Sequence, residues 1–231
     1  MPGIAAISFD ADDTLWDFNA SYAVAIAAVA DRLTEEGVRR ADGPVSGEWL
    51  DELWTEAGQA APPGTHLREL RKASFGAALE RGGRSSRPDR VDELFDWYNE
   101  VRWAELRPYP EVVSVLDELA GRFVLAVTSN GNTDPARVGL GGYFACVTNP
   151  ERSGYQKPDA RMFLHTAAGL DLEPARILHV GDHLQHDAVA ARAAGLQAYW
   201  LNRRTSGGPA SAQAAQAGIR EIATLTALLE L

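Results

Sequence analysis

The chain has 231 residues, of which 45% are hydrophobic and 23% charged, as is typical of a globular protein with one domain or with one domain and an insertion. Its formal net charge of -10 argues against binding to nucleic acid or to an anionic membrane surface, because both would repel it. Cys146 is the single cysteine, so no intramolecular disulfide can form. The apolar run from Tyr22 to Ala30 is too short to span a bilayer. We therefore expect a soluble, cytoplasmic protein that is a monomer or a homodimer.

An apolar run from Ile4 to Phe9 predicts a buried strand at the start of the chain. Asp10, Asp12 and Asp13 follow it, so three carboxylates lie within four residues. Like charges this close repel one another, and a bound cation or a proton held on one of them relieves the repulsion. The cluster therefore indicates a metal site or a catalytic site.

The next segment, up to residue 106, carries helical patterns and no strong strand pattern. Four helices are predicted, beginning after Asn19 or Ser21, after Ser46, after Thr65 and at Pro88. Stretches rich in Gly, Pro and Ser separate these helices. We expect residues 19–106 to form a helical domain inserted after the first strand, over the carboxyl ends of the strands.

After residue 107 the pattern changes to helices that alternate with short apolar runs, which is typical of βαβ units and a parallel sheet. The runs cover 123–128, 145–148, 177–180 and 198–201, and the helices 111–120, 159–169, 187–194 and 224–229. We therefore predict an α/β core formed by residues 1–18 and 107–231, with a Rossmann-like parallel sheet of about five strands between layers of helices.

Reactive side chains follow several of these strands. Ser129 and Asn130 come after the second strand, Asp182 comes after the fourth, and Asp187 lies five residues further on. Because the carboxyl ends of parallel strands meet at one edge of a sheet, we expect these residues to converge with the first acidic cluster. Lys157, in a loop before a helix, is placed to supply a counter-charge at that edge.

Four motifs in this order resemble those of the haloacid dehalogenase superfamily, in the subfamily I branch whose helical C1 cap is inserted between the first two motifs. They are Asp10-Ala11-Asp12-Asp13-Thr14, Ser129-Asn130-Gly131, Lys157-Pro158-Asp159 and Gly181-Asp182-His183-Leu184-Gln185-His186-Asp187. The resemblance covers nearly the whole chain. Each motif is short and weak by itself, and their order and their positions at strand ends make the match specific.

The resemblance implies a catalytic role for the first two acids. Asp10 would attack a phosphoryl group and form an aspartyl-phosphate, and Asp12 would protonate the leaving oxygen and then activate water. Mg²⁺ would be held by Asp10, by the backbone carbonyl of Asp12 and by Asp182, with Asp187 acting through water or by orienting the other ligands.

The resemblance also implies that Ser129, Asn130 and Lys157 bind the phosphoryl oxygens. Trp16 follows the first motif directly and is a candidate substrate contact. His183 and His186 are interpreted as bystanders or as residues that contact the metal ligands without binding the metal, because they lie beside a site that is already rich in hard oxygen ligands.

Each motif also has a simpler interpretation. Asp10 and Asp12 by themselves fit a turn with solvated acids after an edge strand, and residues 129–131 fit a turn that requires glycine. Asp182 and Asp187 fit an N-cap and a first-turn acid of the following helix. The four motifs together favour the catalytic interpretation.

Three other functions compete with a phosphatase. The superfamily's dehalogenases use the first aspartate to attack carbon without a metal, and an aromatic residue replaces the acid that stands here as Asp12. A phosphomutase shares the core and differs mainly in cap residues that exclude water. A phospho-acceptor switch also places acids, a hydroxyl and a lysine on an α/β sheet, but is about half as long. The sequence therefore predicts a Mg²⁺-dependent phosphatase that acts on a small phosphomonoester.

Overall fold

The computed structural model describes residues 3–204 and 211–231, and the chain divides into two compact units. An α/β unit consists of Met1–Asp17 and Arg107–Leu231, and a helical unit consists of Phe18–Leu106. No helix in the described part of the chain is both long enough and apolar enough to cross a membrane.

The α/β unit is built on a parallel sheet, which confirms the predicted fold class. Within the described residues the strands are β1 (Ala6–Phe9), β2 (Val124–Thr128), β3 (Cys146–Thr148), β4 (Ile177–Gly181), β5 (Gln197–Leu201) and β6 (Arg220–Ile222). Their spatial order is β3-β2-β1-β4-β5-β6, and all neighbours are parallel. The predicted count of about five strands was one too low. Strand β6 has only three residues and begins Arg-Glu, so it has no apolar run that would indicate a strand.

The strand order brings the reactive segments together. Strand β1 lies between β2 and β4, and all four of its residues are buried. The backbone N–H of Asp10 donates to the carbonyl of Val180 at 2.8 Å, which extends the pairing of β1 with β4 by one residue. The chain reverses its direction of winding between β1 and β4, and open α/β sheets bind ligands at such a point.

Helices α5 (Val112–Ala120), α6 (Pro150–Ser153), α7 (Ala160–Gly169), α8 (Ala190–Ala193) and α9 (Ala212–Ala217) accompany this sheet. The helix predicted over 187–194 differs most from the structure, because a π-helical turn, Leu184–Val189, precedes α8. The carboxylate of Asp187 accepts a hydrogen bond from the backbone N–H of His183 at 2.9 Å. This wide turn begins before Asp187 and leaves its carboxylate buried beside the end of β4. The segment predicted as a helix over 224–229 is a 3₁₀ helix, Leu225–Glu230.

Residues 18–106, all of which are described, form four α-helices: α1 (Phe18–Glu35), α2 (Gly47–Ala60), α3 (Leu67–Arg81) and α4 (Pro88–Glu105). Ser46 caps α2 as predicted, since its hydroxyl accepts from the N–H of Trp49 at 3.3 Å. His66, and not Thr65, directly precedes α3, and the Thr65 hydroxyl donates to the Pro62 carbonyl instead. Apolar faces of the four helices pack into one core, which includes Ile26, Leu50, Phe75 and Leu94.

Candidate active site

Asp10 and Lys157 form the centre of a buried charged cluster in the α/β unit. The Lys157 ammonium nitrogen lies 2.5 Å from Asp10 Oδ1 and 2.5 Å from Asp187 Oδ1. Lys157 is 4% exposed, Asp10 6% and Asp187 1%. Burial favours the neutral amine, but the two carboxylates outweigh it and raise the pKa of Lys157 above its ordinary value. The cluster therefore holds a permanent cation next to Asp10.

Asn130 fixes the position of Lys157. Its amide oxygen accepts the backbone N–H of Lys157 at 2.7 Å, and its amide nitrogen donates to the Lys157 carbonyl at 2.9 Å. The side chain of Asn130 thus pairs with a backbone 27 residues further along the chain. Asn130 and Lys157 were both predicted as phosphate ligands. In the structure the side chain of Asn130 positions Lys157.

Asp187 is held from several sides. Its carboxylate accepts from Lys157, from the His183 backbone, and from Nε2 of the fully buried His179 at 3.3 Å. Lys157 and His179 hold the pKa of Asp187 below its usual range, although burial by itself would raise it. A Cβ on Gly181 would lie 2.3 Å from the Asp187 carboxyl carbon, so this position requires glycine.

Three carboxylates form a group that has the dimensions of a cation site. Oxygen atoms of Asp10, Asp182 and Asp187 lie within 4.8 Å of one another. Burial, and then the charges of Asp10 and Asp187, raise the pKa of Asp182 to about 8. Hard carboxylate oxygens are the ligands that Mg²⁺ prefers, and a divalent cation there would relieve this repulsion. The residues present therefore fit a magnesium ion.

Asp12 lies at the same edge of the sheet, and two neighbours fix its carboxylate. The indole N–H of Trp16 donates to Asp12 Oδ1 at 2.7 Å. A Cβ on Gly131 would lie 2.3 Å from Asp12 Oδ2, so the glycine after Asn130 lets this carboxylate approach the end of β2. Trp16, predicted as a substrate contact, is fully buried, and its polar atom is directed at Asp12. The structure thus gives Trp16 the surroundings of a residue that orients an acid.

Ser129 completes the edge formed by β2. Its backbone N–H donates to the Thr148 carbonyl at 3.0 Å, and its hydroxyl accepts from the N–H of Gly131 at 3.2 Å. The side chain is buried and lies directly after β2. This hydroxyl bonds to Gly131, which lies beside the Asp12 carboxylate. A hydroxyl held in this way can donate its proton to an anionic ligand.

The comparisons with known proteins agree with this geometry. The profile of the haloacid dehalogenase-like hydrolases matches residues 4–195. The chain belongs to this family. It is therefore a hydrolase, and the predicted superfamily is confirmed.

Two curated relatives of this haloacid dehalogenase-like hydrolase have phosphatase names. The chain is 30% identical to the 5-amino-6-(5-phospho-D-ribitylamino)uracil phosphatase YigB of Escherichia coli (strain K12), over 86% of this chain and 83% of that protein. It is 28% identical to the glyceraldehyde 3-phosphate phosphatase of Methanothermobacter thermautotrophicus (strain ATCC 29096 / DSM 1053 / JCM 10044 / NBRC 100330 / Delta H), over 86% of each.

A solved structure with a different name is also similar. The 2-haloacid dehalogenase from Pseudomonas syringae pv. Tomato DC3000 superposes with a TM-score of 0.78 at 34% identity, over 98% of this chain and 97% of that one. Overall similarity thus joins this hydrolase to proteins named for two reactions. The choice between the reactions depends on individual side chains.

Sequence reasoning missed one residue of the buried cluster, His179. It lies inside β4, where a single histidine gives no signal that distinguishes a polar contact from core packing. His183 and His186, interpreted as bystanders, stack on each other with ring centroids 4.1 Å apart and are exposed. Within the described residues, the carboxylate group that fits a metal consists of Asp10, Asp182 and Asp187 and includes neither of these histidines.

Proposed function

We propose that this hydrolase is a Mg²⁺-dependent phosphatase that acts on small phosphomonoesters through an aspartyl-phosphate. The observation that carries the proposal is the carboxylate of Asp12, which Trp16 holds in a fixed orientation two residues after Asp10. Phosphomonoester hydrolysis needs an acid for the leaving oxygen and a base for water, whereas a reaction at carbon with a halide leaving group needs no such acid.

Asp10 is the proposed nucleophile. Its carboxylate oxygen forms a bond to phosphorus while the ester P–O bond breaks, and Asp12 donates a proton to the departing alcohol oxygen. Asp12 then takes a proton from water as the water oxygen attacks phosphorus, and the Asp10 carboxylate is released together with inorganic phosphate. One carboxyl group thus serves as acid and then as base.

The proposed phosphate donors are the Ser129 hydroxyl, the Asn130 backbone N–H and the Lys157 ammonium. Lys157 is well placed, because its ammonium lies 2.5 Å from the proposed nucleophile and offsets part of the charge that the acidic cluster would present to a phosphate dianion. In this proposal the Asn130 side chain aligns Lys157 and is not itself a ligand.

Mg²⁺ is the proposed cofactor. Asp10, Asp182 and the backbone carbonyl of Asp12 would hold it, with Asp187 close enough to bind directly or through water. When bound, the ion would neutralise charge on the phosphoryl oxygens and on the carboxylates around them. The raised pKa of Asp182 supports the proposal, because burial and the charges of Asp10 and Asp187 raise it and a bound cation would relieve that repulsion.

The substrate class follows from the curated relatives. YigB and the glyceraldehyde 3-phosphate phosphatase are both named for phosphorylated small molecules, so we propose a phosphorylated metabolite as substrate. Dehalogenation of a 2-haloacid is the second candidate, because the similar solved structure is a 2-haloacid dehalogenase. That reaction would use Asp10 to attack carbon and would leave Asp12 and Asp182 without a chemical role.

The two candidates are separated by hydrolysis of p-nitrophenyl phosphate and by halide release from a 2-haloacid, each measured with and without Mg²⁺. We expect Mg²⁺-dependent release of p-nitrophenol that falls by about 10⁴-fold in Asp10→Asn. A smaller loss, about 10²- to 10⁴-fold, is expected in Asp12→Asn.

Asp13→Asn is the matched control, because it removes a neighbouring charge and asparagine tolerates the positive φ of 60° at this position. Halide release without phosphate release, or a full phosphatase rate in Asp10→Asn, would contradict the proposal.

A further inference from the structure

Arg203 lies just beyond the end of β5, and its guanidinium contacts the turn that follows Asp12. Its Nη2 donates to the Thr14 carbonyl at 2.7 Å, and its Nε donates to the Asp13 carbonyl at 3.3 Å. These contacts join segments 190 and 189 residues apart in the chain. Arg203 therefore binds the backbone of the turn that directly follows Asp12, the proposed acid and base.

The guanidinium is itself fixed by a third segment. Its Nη1 donates to Glu111 Oε1 at 2.6 Å, and its carbon lies 3.7 Å from the centre of the Tyr109 ring. Every nitrogen of the guanidinium thus has an acceptor, and one of its faces has an aromatic ring. Only the planar fork of arginine can make all of these contacts, because the lysine ammonium is a single point of charge.

The turn that Arg203 contacts needs such support. Asp13 has a φ of 60°, in the left-handed region that residues other than glycine seldom adopt. Inside the turn, the N–H groups of Thr14 and Leu15 donate to the Ala11 carbonyl, and that of Asp13 donates to the Trp16 carbonyl. These internal bonds leave the carbonyls of residues 13 and 14 directed at Arg203. A shift of these peptides would move Asp12, which precedes them directly.

We propose that Arg203 is a positioning residue for Asp12, and this inference rests on the proposed function. Trp16 holds the carboxylate of Asp12 through its indole, and Arg203 holds the backbone of the turn that follows. Arg203 does not touch the reacting atoms. Its effect is to keep Asp12 in line with the oxygen that leaves the phosphoryl group.

The experiment compares phenyl phosphate with p-nitrophenyl phosphate as substrates of the native chain and of Arg203→Met. Phenolate is the poorer leaving group, so its departure depends more strongly on an aligned acid. We expect kcat/KM to fall about 10- to 100-fold for phenyl phosphate in Arg203→Met, and clearly less for p-nitrophenyl phosphate. Asp12→Asn should change the ratio of the two substrates in the same direction.

Arg204→Met is the matched control, because it removes the same charge from the adjacent, exposed side chain. We expect its kinetics to equal those of the native chain. Arg203→Lys keeps the charge but not the fork, and it should restore less than half of the lost rate. If kcat/KM in Arg203→Met falls equally for the two substrates, and by as much as the fraction of folded protein falls, Arg203 has only a structural role and the proposal is overturned.

Glu111→Gln keeps the test decisive if Arg203→Met does not fold. It removes the charged partner that holds Nη1, so the guanidinium is fixed less firmly against the turn, and we expect a smaller change of the substrate ratio in the same direction. An unchanged ratio would overturn the proposal. Failure of the native chain to hydrolyse either ester would overturn the proposed phosphatase and this inference together. If the native chain is active and Asp12→Asn changes the substrate ratio as expected, an unchanged ratio in Arg203→Met would overturn this inference alone.

Discussion

In the α/β unit, Lys157 bridges Asp10 and Asp187 with at most 8% of any of the three side chains exposed. In the helical unit, Arg90 also pairs with two carboxylates, those of Glu36 and Glu93, but its own side chain is 23% exposed and that of Glu93 57%. In each cluster one basic side chain pairs with two carboxylates. The two clusters differ in how much water remains around the charges.

This difference in exposure changes what each cluster contributes to stability. Burying an ion costs several kcal/mol, and replacing a buried ionic group by apolar side chains is often neutral or stabilising. A surface pair contributes about 0 to 1 kcal/mol and is easily replaced. The cluster around Lys157 is therefore poorly explained by stability, and its position at the strand ends indicates a functional reason for it.

The largest expected effect comes from removing the buried cation. Lys157→Met leaves the carboxylates of Asp10 and Asp187 buried together without the cation between them, so we expect the free energy of unfolding to fall by about 3 to 5 kcal/mol. Turnover of p-nitrophenyl phosphate should fall by at least about 10³-fold. Urea unfolding and steady-state kinetics measure the two effects.

Lys72→Met is the control, because Lys72 pairs with Asp92 at 2.6 Å on the helical unit, where the Asp92 side chain is 54% exposed. We expect it to cost less than about 1 kcal/mol and to leave turnover unchanged. Equal costs for the two variants would show that burial does not distinguish the clusters.

Removing the side chain that aligns Lys157 should have a smaller effect. Asn130→Ala loses the paired contacts with the Lys157 backbone, and we expect kcat to fall about 10- to 100-fold. The free energy of unfolding should fall by about 1 to 2 kcal/mol.

Asn149→Ala is the matched control, since Asn149 only caps a short helix through Arg152 N–H. It should lower stability by about 1 kcal/mol and leave kcat unchanged. An undiminished kcat in Asn130→Ala would show that Lys157 needs no alignment.

The acidic group predicts a pH dependence. Because burial and neighbouring carboxylates raise the pKa of Asp182 to about 8, we expect the folded chain without metal to hold a proton there that the unfolded chain releases near the ordinary aspartate pKa. The stability that this proton contributes is complete below the unfolded pKa and is lost as the pH rises through the folded one. Mg²⁺ would bind the deprotonated form, so the rise in Tm that it causes should grow from about pH 6 to about pH 8. In Asp182→Asn the rise in Tm on adding Mg²⁺ should no longer grow with pH. A rise in Tm that is independent of pH in the native chain would contradict the assignment of Asp182 as a Mg²⁺ ligand.

The smallest expected effect comes from the helical unit. Arg90→Met removes the ion pairs with Glu36 and Glu93, and we expect a loss of less than about 1 kcal/mol in the free energy of unfolding. Because these charges face water, the loss should shrink further at high salt. Urea unfolding at two ionic strengths tests this, and a loss comparable to that of Lys157→Met would remove the contrast between the units.

Much of the α/β fold could be predicted, because apolar periodicity and turn residues are local signals. Strands β1 to β5 and helices α5 and α7 begin and end within about two residues of their predicted positions, and helices α1 to α4 begin within about four. The misses have physical causes. Strand β6 is short and polar, and the turn Leu184–Val189 takes a π-helical form that the helical pattern over 187–194 does not indicate.

The candidate site likewise has a part that the sequence predicted and a part that it did not. The strand-end rule predicted that Asp10, Asp182 and Asp187 converge, and their oxygen atoms lie within 4.8 Å of one another. The contacts of Asn130 with Lys157 and of His179 with Asp187 were not predicted. They depend on side-chain directions, which the order of strands does not define.

The sequence by itself determined the α/β class, the family and the acids that follow the strands, because these depend on local periodicity and on short motifs in a fixed order. Only the tertiary structure decided that Trp16 is directed at Asp12, that Asn130 aligns Lys157 and that Arg203 holds the turn after Asp12. Such contacts depend on the orientation of each side chain in the folded unit. For Arg203 they also join segments nearly 190 residues apart, whose distance no local pattern encodes.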